Sequence, residues 1–408
     1  MSVHAAPVSA STIALAVDVG KSSFACSVTD SGRNRLLGSV ECAMTGPGVR
    51  ELVARVERLL PTRAQVKVGI EAAGHYHRPL LNRAVWPTGW ELLELNPAHV
   101  TEQRRVMGRR RVKTDAIDLE AITELLLAGR GTPVLSPSTV VAELGAWAAH
   151  RSRRVATRTA TKNQLLGQLD RAFPGLTRAL PDVLGTKIGR LIAAEFADPA
   201  RLAGLGEARF IRFAGHRGLQ VRRPQAQRLV AAARAALPTA EAAVARRVLI
   251  ADLRLLAGLD VEVQAAEVEL ARLLPASPFA PLTSVPGWGV VRAANYGAAV
   301  GEPARWPGPR QLYRAAGLNP MQYESAGRRR DGAISREGSV ALRRALIDLG
   351  LGLWLTDPAS RTRAAQLRAR GKHGSVIACA LAHRANRIAY ALVRDQADYD
   401  PARWSPEA

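Results

Sequence analysis

An apolar run of strand length, Ile13-Ala14-Leu15-Ala16-Val17, ends in a carboxylate, Asp18, and Gly20 breaks the pattern two residues later. It reads as a central strand that delivers an acid to its tip, so a sheet must be built around it. Phe24 to Thr29 and Leu36 to Cys42 read as two further strands, separated by the turn residues Asp30-Ser31-Gly32-Arg33-Asn34. Helical spacing follows at Val49, Leu52, Val53, Val56 and Leu59. A fourth strand, Val66-Lys67-Val68-Gly69-Ile70, again ends in an acid, Glu71, before Gly74. Trp90 to Leu95 gives a fifth, stopped by Asn96-Pro97. Helices are expected to fill the gaps and to continue to about Gly129.

Three strands, helix, strand, helix, strand, helix is the order of a ribonuclease H-like α/β sheet. In that arrangement the tips of the first and fourth strands are neighbours, so Asp18 and Glu71 would converge. Asp115 and Asp118, in Lys113-Thr114-Asp115-Ala116-Ile117-Asp118, lie three apart and would share one helix face. Four carboxylates from three elements could hold two Mg²⁺ ions about 4 Å apart and clamp the attacking and leaving oxygens of a phosphodiester. Taken singly, each acid has a plainer explanation: an Asp after a strand is usually a turn former, and carboxylates suit the start of a helix. Their joint occurrence in this order of elements favours a metal site.

Charge supports that choice. The 408 residues carry a formal net charge of +22, and converging acids in so basic a chain point to metal facing a polyanion. A nucleic acid fits better than an anionic membrane, because no stretch approaches a transmembrane span and Met1 to Ser11 has neither a basic n-region nor a cleavable apolar core. Cys26, Cys42 and Cys379 are too few and scattered for a disulfide framework or a zinc site. A reducing bacterial cytoplasm, close to the nucleoid, is the expected setting. Gly20-Lys21-Ser22 resembles the end of a P-loop, but Leu15 stands where its first glycine belongs, so no nucleotide cofactor is expected. His75 and His77 match no helical zinc motif and read as surface residues or as neighbours of the acids.

Length implies two or three domains. The divisions expected are 1–135 for the acidic domain, 136–280 for a helical and coiled-coil region, 281–395 for a mainly α C-terminal domain, and 396–408 for a tail. Val140 to Leu180 and Thr239 to Leu274 read as long helices. In the second, Leu249, Leu256, Leu259, Val263, Ala266, Leu270 and Leu273 follow a four-three spacing. A short coiled coil and an amphipathic helix packed within its own subunit explain this spacing equally well. Arg104, Arg105, Arg109, Arg110, Arg111 and Lys113 run directly into the acids and read as contacts to a nucleic-acid backbone. A second cluster is Arg151, Arg153, Arg154 and Arg158.

In the last domain, Val285-Pro286-Gly287-Trp288-Gly289 could be a helix-hairpin-helix turn that offers backbone N–H groups to phosphate, or an ordinary interhelical turn. Ser325 stands in a cationic loop with Arg328, Arg329 and Arg330. Nearby arginines would stabilise an attacked phosphate, making Ser325 a candidate nucleophile, although loop serines more often bond to turns. Ser339 reads as the N-cap of a helix beginning at Val340.

The set Asp18, Gly69 to Gly74 around Glu71, Asn96-Pro97, Lys113-Thr114-Asp115, Asp118, Val285-Pro286-Gly287, Ala316-Gly317-Leu318 and Ser325 resembles the DEDD-plus-serine transposases of insertion sequences. These form the IS-one-ten family, related to the Piv invertases. The resemblance implies a RuvC-like domain, a coiled-coil region and a C-terminal transposase domain, assembled as a homotetramer on double-stranded DNA and guided by a bridge RNA. By position it implies that Asp18, Glu71, Asp115 and Asp118 hold Mg²⁺, with Mn²⁺ as a substitute, and that Ser325 attacks DNA to form a phosphoserine linkage. The acidic domain of one protomer would work with the serine domain of another. Such serines are commonly followed directly by glycine; here Ala326 precedes Gly327, and Ser339 stands where asparagine is frequent. A water-using RuvC-type nuclease and a non-catalytic nucleic-acid-binding protein are the competing functions.

Overall fold

The computed structural model describes residues 11–108, 114–135, 138–238, 242–325 and 327–404. They fall into two compact units, Met1–Ser138 and Thr139–Ala408.

The first unit is a mixed six-stranded sheet. Its strands are β1 (Thr12–Val19), β2 (Ser23–Asp30), β3 (Arg35–Ala43), β4 (Gln65–Glu71), β5 (Glu91–Leu95) and β6 (Thr132–Pro133), in the spatial order β3-β2-β1-β4-β5-β6. β1 pairs antiparallel with β2 and parallel with β4, and β4 pairs parallel with β5. The first and fourth strands are therefore neighbours, as expected. Helices α1 (Gly46–Glu57), α2 (Pro97–Val106) and α3 (Asp115–Leu127) complete the unit. Thr45, Asn96 and Thr114 cap them, each side chain accepting a hydrogen bond from a backbone N–H of the first turn.

Between β4 and β5 there is no α-helix, contrary to expectation. Two 3₁₀ turns, Arg78–Leu81 and Arg83–Val85, fill the gap. Pro79, Pro87 and the positive-φ residues Gly74 and Gly89 leave no uninterrupted stretch for a longer helix. Gly20-Lys21-Ser22 forms a tight turn, with the Gly20 N–H donating to the Ser23 carbonyl at 2.9 Å, and leads into a strand rather than a helix.

The alternation of β1 creates two cores. Ile13, Leu15 and Val17 pack with Val66, Val68 and Ile70 on one face; Ala14 and Ala16 pack with Leu93, Leu95, Leu119, Ile122 and Leu126 on the other. Small residues on the second face let α3 lie close to the sheet. Gly69 is the tightest point, since a Cβ there would stand 2.7 Å from Leu126. Gly69→Val should destabilise this unit by about 1–3 kcal/mol through overpacking, readable as a lower urea midpoint with an unchanged slope. The exposed fork of Arg33 adds a second tie, donating to both carboxylate oxygens of Glu124 at 2.9 Å. Those hydrogen bonds hold the Glu124 carboxyl below the usual range.

The second unit is mostly helical. It begins with α4 (Thr139–Ala172), continues through α5 (Leu176–Ala179), α6 (Lys187–Glu195), α7 (Pro199–Gly215) and α8 (Arg223–Ala235), and returns along α9 (Ala242–Leu273). α4 and α9 run antiparallel: Arg151 pairs with Glu267 at 2.7 Å, and seven residues onward Arg158 pairs with Asp260 at 3.3 Å. The seam residues from Leu249 to Leu273 are buried within the chain. One core joins Leu165 and Leu169 of α4 to the intervening helices and to Leu249 and Leu256. Another joins Val141 and Leu144 to Leu270 and Leu273 and to the helices that follow. Residue 280 thus lies inside the second unit.

Those later elements are α10 (Val290–Val300), α11 (Pro309–Ala315), the hairpin β7 (Pro320–Ser325) and β8 (Arg328–Ile334), α12 (Val340–Thr356), α13 (Pro358–Ala369) and α14 (Gly374–Asp395). Gly287 has φ +82°, and a Cβ there would meet Thr356 Oγ1 at 2.6 Å. Its neighbour Trp288 is buried and donates to the Leu349 carbonyl at 2.8 Å. Gly287 therefore serves close packing against α12, the ordinary-turn alternative. Ser339 caps α12, accepting from the Leu342 N–H at 3.2 Å.

Candidate nucleic-acid cleavage site

Strand register places the first two acids. Val17 and Ile70 are cross-strand partners, so Asp18 and Glu71 are the next residues out on adjacent parallel strands, whose axes lie about 4.8 Å apart. Both continue the period-two face of Ala14, Ala16 and Gly69, the face covered by α3. α3 supplies the third acid to that face from its first turn: Asp118 is 2% exposed. Asp115 opens the same helix and is exposed. Thr114 caps this turn, its Oγ1 accepting from the Ile117 N–H at 3.3 Å, and the helix dipole favours carboxylates there.

Among the described residues, no three His, Cys, Asp or Glu side chains gather tightly enough to hold a metal ion. Carboxylates repel one another, and a cation lies against Asp118: Arg104 Nη1 is 2.9 Å from Asp118 Oδ1. The chemistry of the four candidate acids fits Mg²⁺: carboxylate oxygens suit a hard divalent cation better than zinc. The cysteines offer no competing site. Cys26 and Cys42 lie 3.9 Å apart, and burial pushes both thiols up, which keeps them protonated.

The basic residues named from the sequence divide. Arg104 turns inward onto Asp118, whereas Arg105 is exposed and paired with Glu102 at 3.3 Å. Arg109, Arg110, Arg111, Lys113 and the side chain of Arg329 lie outside the described residues. Arg151 and Arg158 are committed to α9. His77 is not a surface residue: it is buried with Nε2 3.4 Å from Glu94. His75, two residues earlier, is exposed.

Ser325 ends β7, exposed near the tip of the hairpin, and pairs across it with the exposed Arg328. Gly327, at φ +73°, supplies the left-handed residue that a tight hairpin turn needs; Ala326 lies outside the described residues. The base of this hairpin is pinned. The Ser335 N–H donates to the Asn319 carbonyl at 2.8 Å, and the Arg336 N–H to the Gly317 carbonyl at 3.0 Å. Arg343 Nη1 donates to the Ala316 carbonyl at 2.9 Å. Tyr323, 57% exposed and cross-strand from Arg330, shares the face of Ser325. Sequence reasoning missed Tyr323 and the inward turn of Arg104. The first had a legible signal, an aromatic two residues from Ser325; the second had none.

Comparison with known proteins accounts for both acidic and serine regions. Residues 15–174 match the family model of DEDD transposases of IS110 elements, and residues 280–365 match that of IS116/IS110/IS902 transposases. The chain is 28% identical to a 43.6 kDa protein of insertion element IS110 from Streptomyces coelicolor, over 71% of this chain and 72% of that one. It is 26% identical to a 42 kDa protein of IS900 from Mycobacterium paratuberculosis, over 96% and 98%. A 44.8 kDa protein of IS116 from Streptomyces clavuligerus is 27% identical over 71% and 73%. With the strand-tip acids inside one matched region and Ser325 inside the other, in family order, the chain belongs to the IS110-family transposases, enzymes that cut DNA and transfer its strands.

Proposed function

We propose that this transposase exchanges DNA strands by serine transesterification, using the acids of a RuvC-like, ribonuclease H-like sheet and the serine of the Ser325 hairpin. The observation that carries this is the register that sets Asp18 and Glu71 level on adjacent strands beneath the helix bearing Asp118. Asp18, Glu71, Asp115 and Asp118 would hold Mg²⁺, or Mn²⁺ in its place. The metal supplies charge neutralisation for the phosphate and for the leaving oxygen. Ser325 Oγ loses its proton and forms a bond to phosphorus as the bond to the 3′ oxygen breaks, and that oxygen takes up a proton. A 3′-hydroxyl of another strand then reverses the exchange on the phosphoserine linkage. One phosphoester replaces another at each step, so no nucleotide is consumed. Arg328, Arg329 and Arg330 would neutralise the attacked phosphate, and Arg105, Arg109, Arg110, Arg111 and Lys113 would follow the backbone.

The partners are double-stranded DNA of element ends and target, a bridge RNA that selects them, and further copies of the chain, assembled as a tetramer. α9 supports self-association. After burying its seam it still exposes Val244, Val248, Leu255, Val261 and Val268, each 40–68% exposed. Leu255→Glu should lower the oligomeric state measured by light scattering while circular dichroism stays unchanged; an unaltered mass would remove α9 from the interface. No helix among the described residues is long and apolar enough to cross a membrane, and the proposed place of action is the bacterial cytoplasm, on nucleoid DNA.

The test is trapping. Protein, element-end DNA, the element's own noncoding RNA and Mg²⁺ are mixed and denatured. A protein–DNA adduct that survives denaturation is expected. Cleavage without any adduct would instead assign the attack to water, and copurifying nucleic acid resistant to RNase would remove the guide.

A further inference from the structure

We propose that Arg104 is a resident counter-cation of the acidic site: in the metal-free protein it pairs with Asp118 and holds it in place, and it gives way when a divalent metal binds. This inference rests on the metal-binding reading of the acids.

Arg104 belongs to the last turn of α2, beside a helix whose first turn carries Asp118. Its side chain is 17% exposed and that of Asp118 3%, with 2.9 Å between Nη1 and Oδ1. Burying a carboxylate is costly unless an opposite charge lies against it. Arg104 provides it, but incompletely. Nη2 donates to Thr101 Oγ1 at 3.1 Å, whereas Nε is buried with no hydrogen-bond partner. A guanidinium held with one donor unsatisfied is not optimised as a permanent structural ion pair. A divalent cation offers Asp118 twice the charge and direct oxygen ligation. Arginine and metal therefore act as alternatives for the same carboxylate. The arginine prevents the acids from repelling one another apart before metal arrives, at the expense of affinity for that metal.

This sets Arg104 apart from a plain phosphate contact, whose loss would weaken DNA binding and leave metal binding alone. It also differs from an orienting residue that holds Asp118 towards the metal, whose loss would weaken metal binding.

The experiment uses full-length protein without nucleic acid: wild type, Arg104→Gln and Arg104→Lys, with Asp18→Asn as the control that removes a metal ligand. Mn²⁺ binding is followed by the electron paramagnetic resonance of free Mn²⁺, and thermal unfolding is measured in EDTA and in Mg²⁺. Arg104→Gln is expected to bind Mn²⁺ at least about tenfold more tightly, because a cation a few ångströms away no longer opposes it. It should melt below wild type in EDTA and show a larger upward shift in Mg²⁺. Arg104→Lys, which keeps the charge, should fall between the two, and it preserves the comparison if the glutamine variant folds only with metal. Equal or weaker Mn²⁺ binding by Arg104→Gln, with wild type binding normally, would overturn the role of Arg104. No Mn²⁺ binding by wild type would overturn the metal site itself.

Discussion

Ser325→Ala is expected to lower DNA cleavage and strand transfer by about 10⁴-fold or more, the scale of removing a covalent nucleophile, and to abolish the trapped protein–DNA adduct. The fold should not notice. Ser325 is exposed at the end of a strand whose described residues are all exposed, and such a change alters stability by no more than about 0.5 kcal/mol. Matched melting curves with a lost adduct would therefore isolate the hydroxyl. DNA binding by gel shift should persist, because Arg328 and Arg330 remain. The decisive contrary result is an alanine variant that cuts DNA at the wild-type rate: it would return Ser325 to the role of a turn residue and leave a metal-dependent, water-using nuclease.

The acids should separate into two kinds when neutralised. Asp18→Asn is expected to cost at least about 10³-fold in cleavage if charge on the phosphate is neutralised by metal held there. Asp18 is only partly buried, and asparagine preserves its shape, so stability should change little. Asp118→Ala should lose activity and also destabilise the protein by about 3–5 kcal/mol, the scale of breaking a buried ion pair and leaving Arg104 without its partner. Cleavage assays beside urea denaturation distinguish the two. Asp18→Asn that retains full activity without divalent metal would demote the acids to structural residues. Asp118→Ala as stable as wild type would show that Arg104 is not bound to it in solution.

Much of the first unit was legible because its signals are local. Apolar runs, turn residues and capping side chains act on near neighbours, so the ends of β1 to β5 fall within about two residues of the expectation. The helix expected between β4 and β5 failed on prolines and glycines already visible in the sequence. β6, two residues long, carries no periodicity to read. The seven-residue pattern of α9 was ambiguous for a different reason: a buried stripe is the same in sequence whether α4 of the same chain or another subunit covers it. α4 covers it, and the valines and Leu255 on other faces became visible as exposed only once that was known.

The candidate site shows the same division. The sequence by itself determined that two strands end in acids, that two more acids lie three residues apart as on one helix face, and that a serine stands among arginines, since each is a matter of order and spacing along the chain. Only the tertiary structure decided that Asp18 and Glu71 stand level, because register is a relation between strands distant in sequence. It also decided that α3 can approach the acids' face at Gly69, and that Arg104 meets Asp118 rather than solvent. The direction in which a long cationic side chain turns depends on the charge that packing places within its reach, and local sequence does not encode that charge.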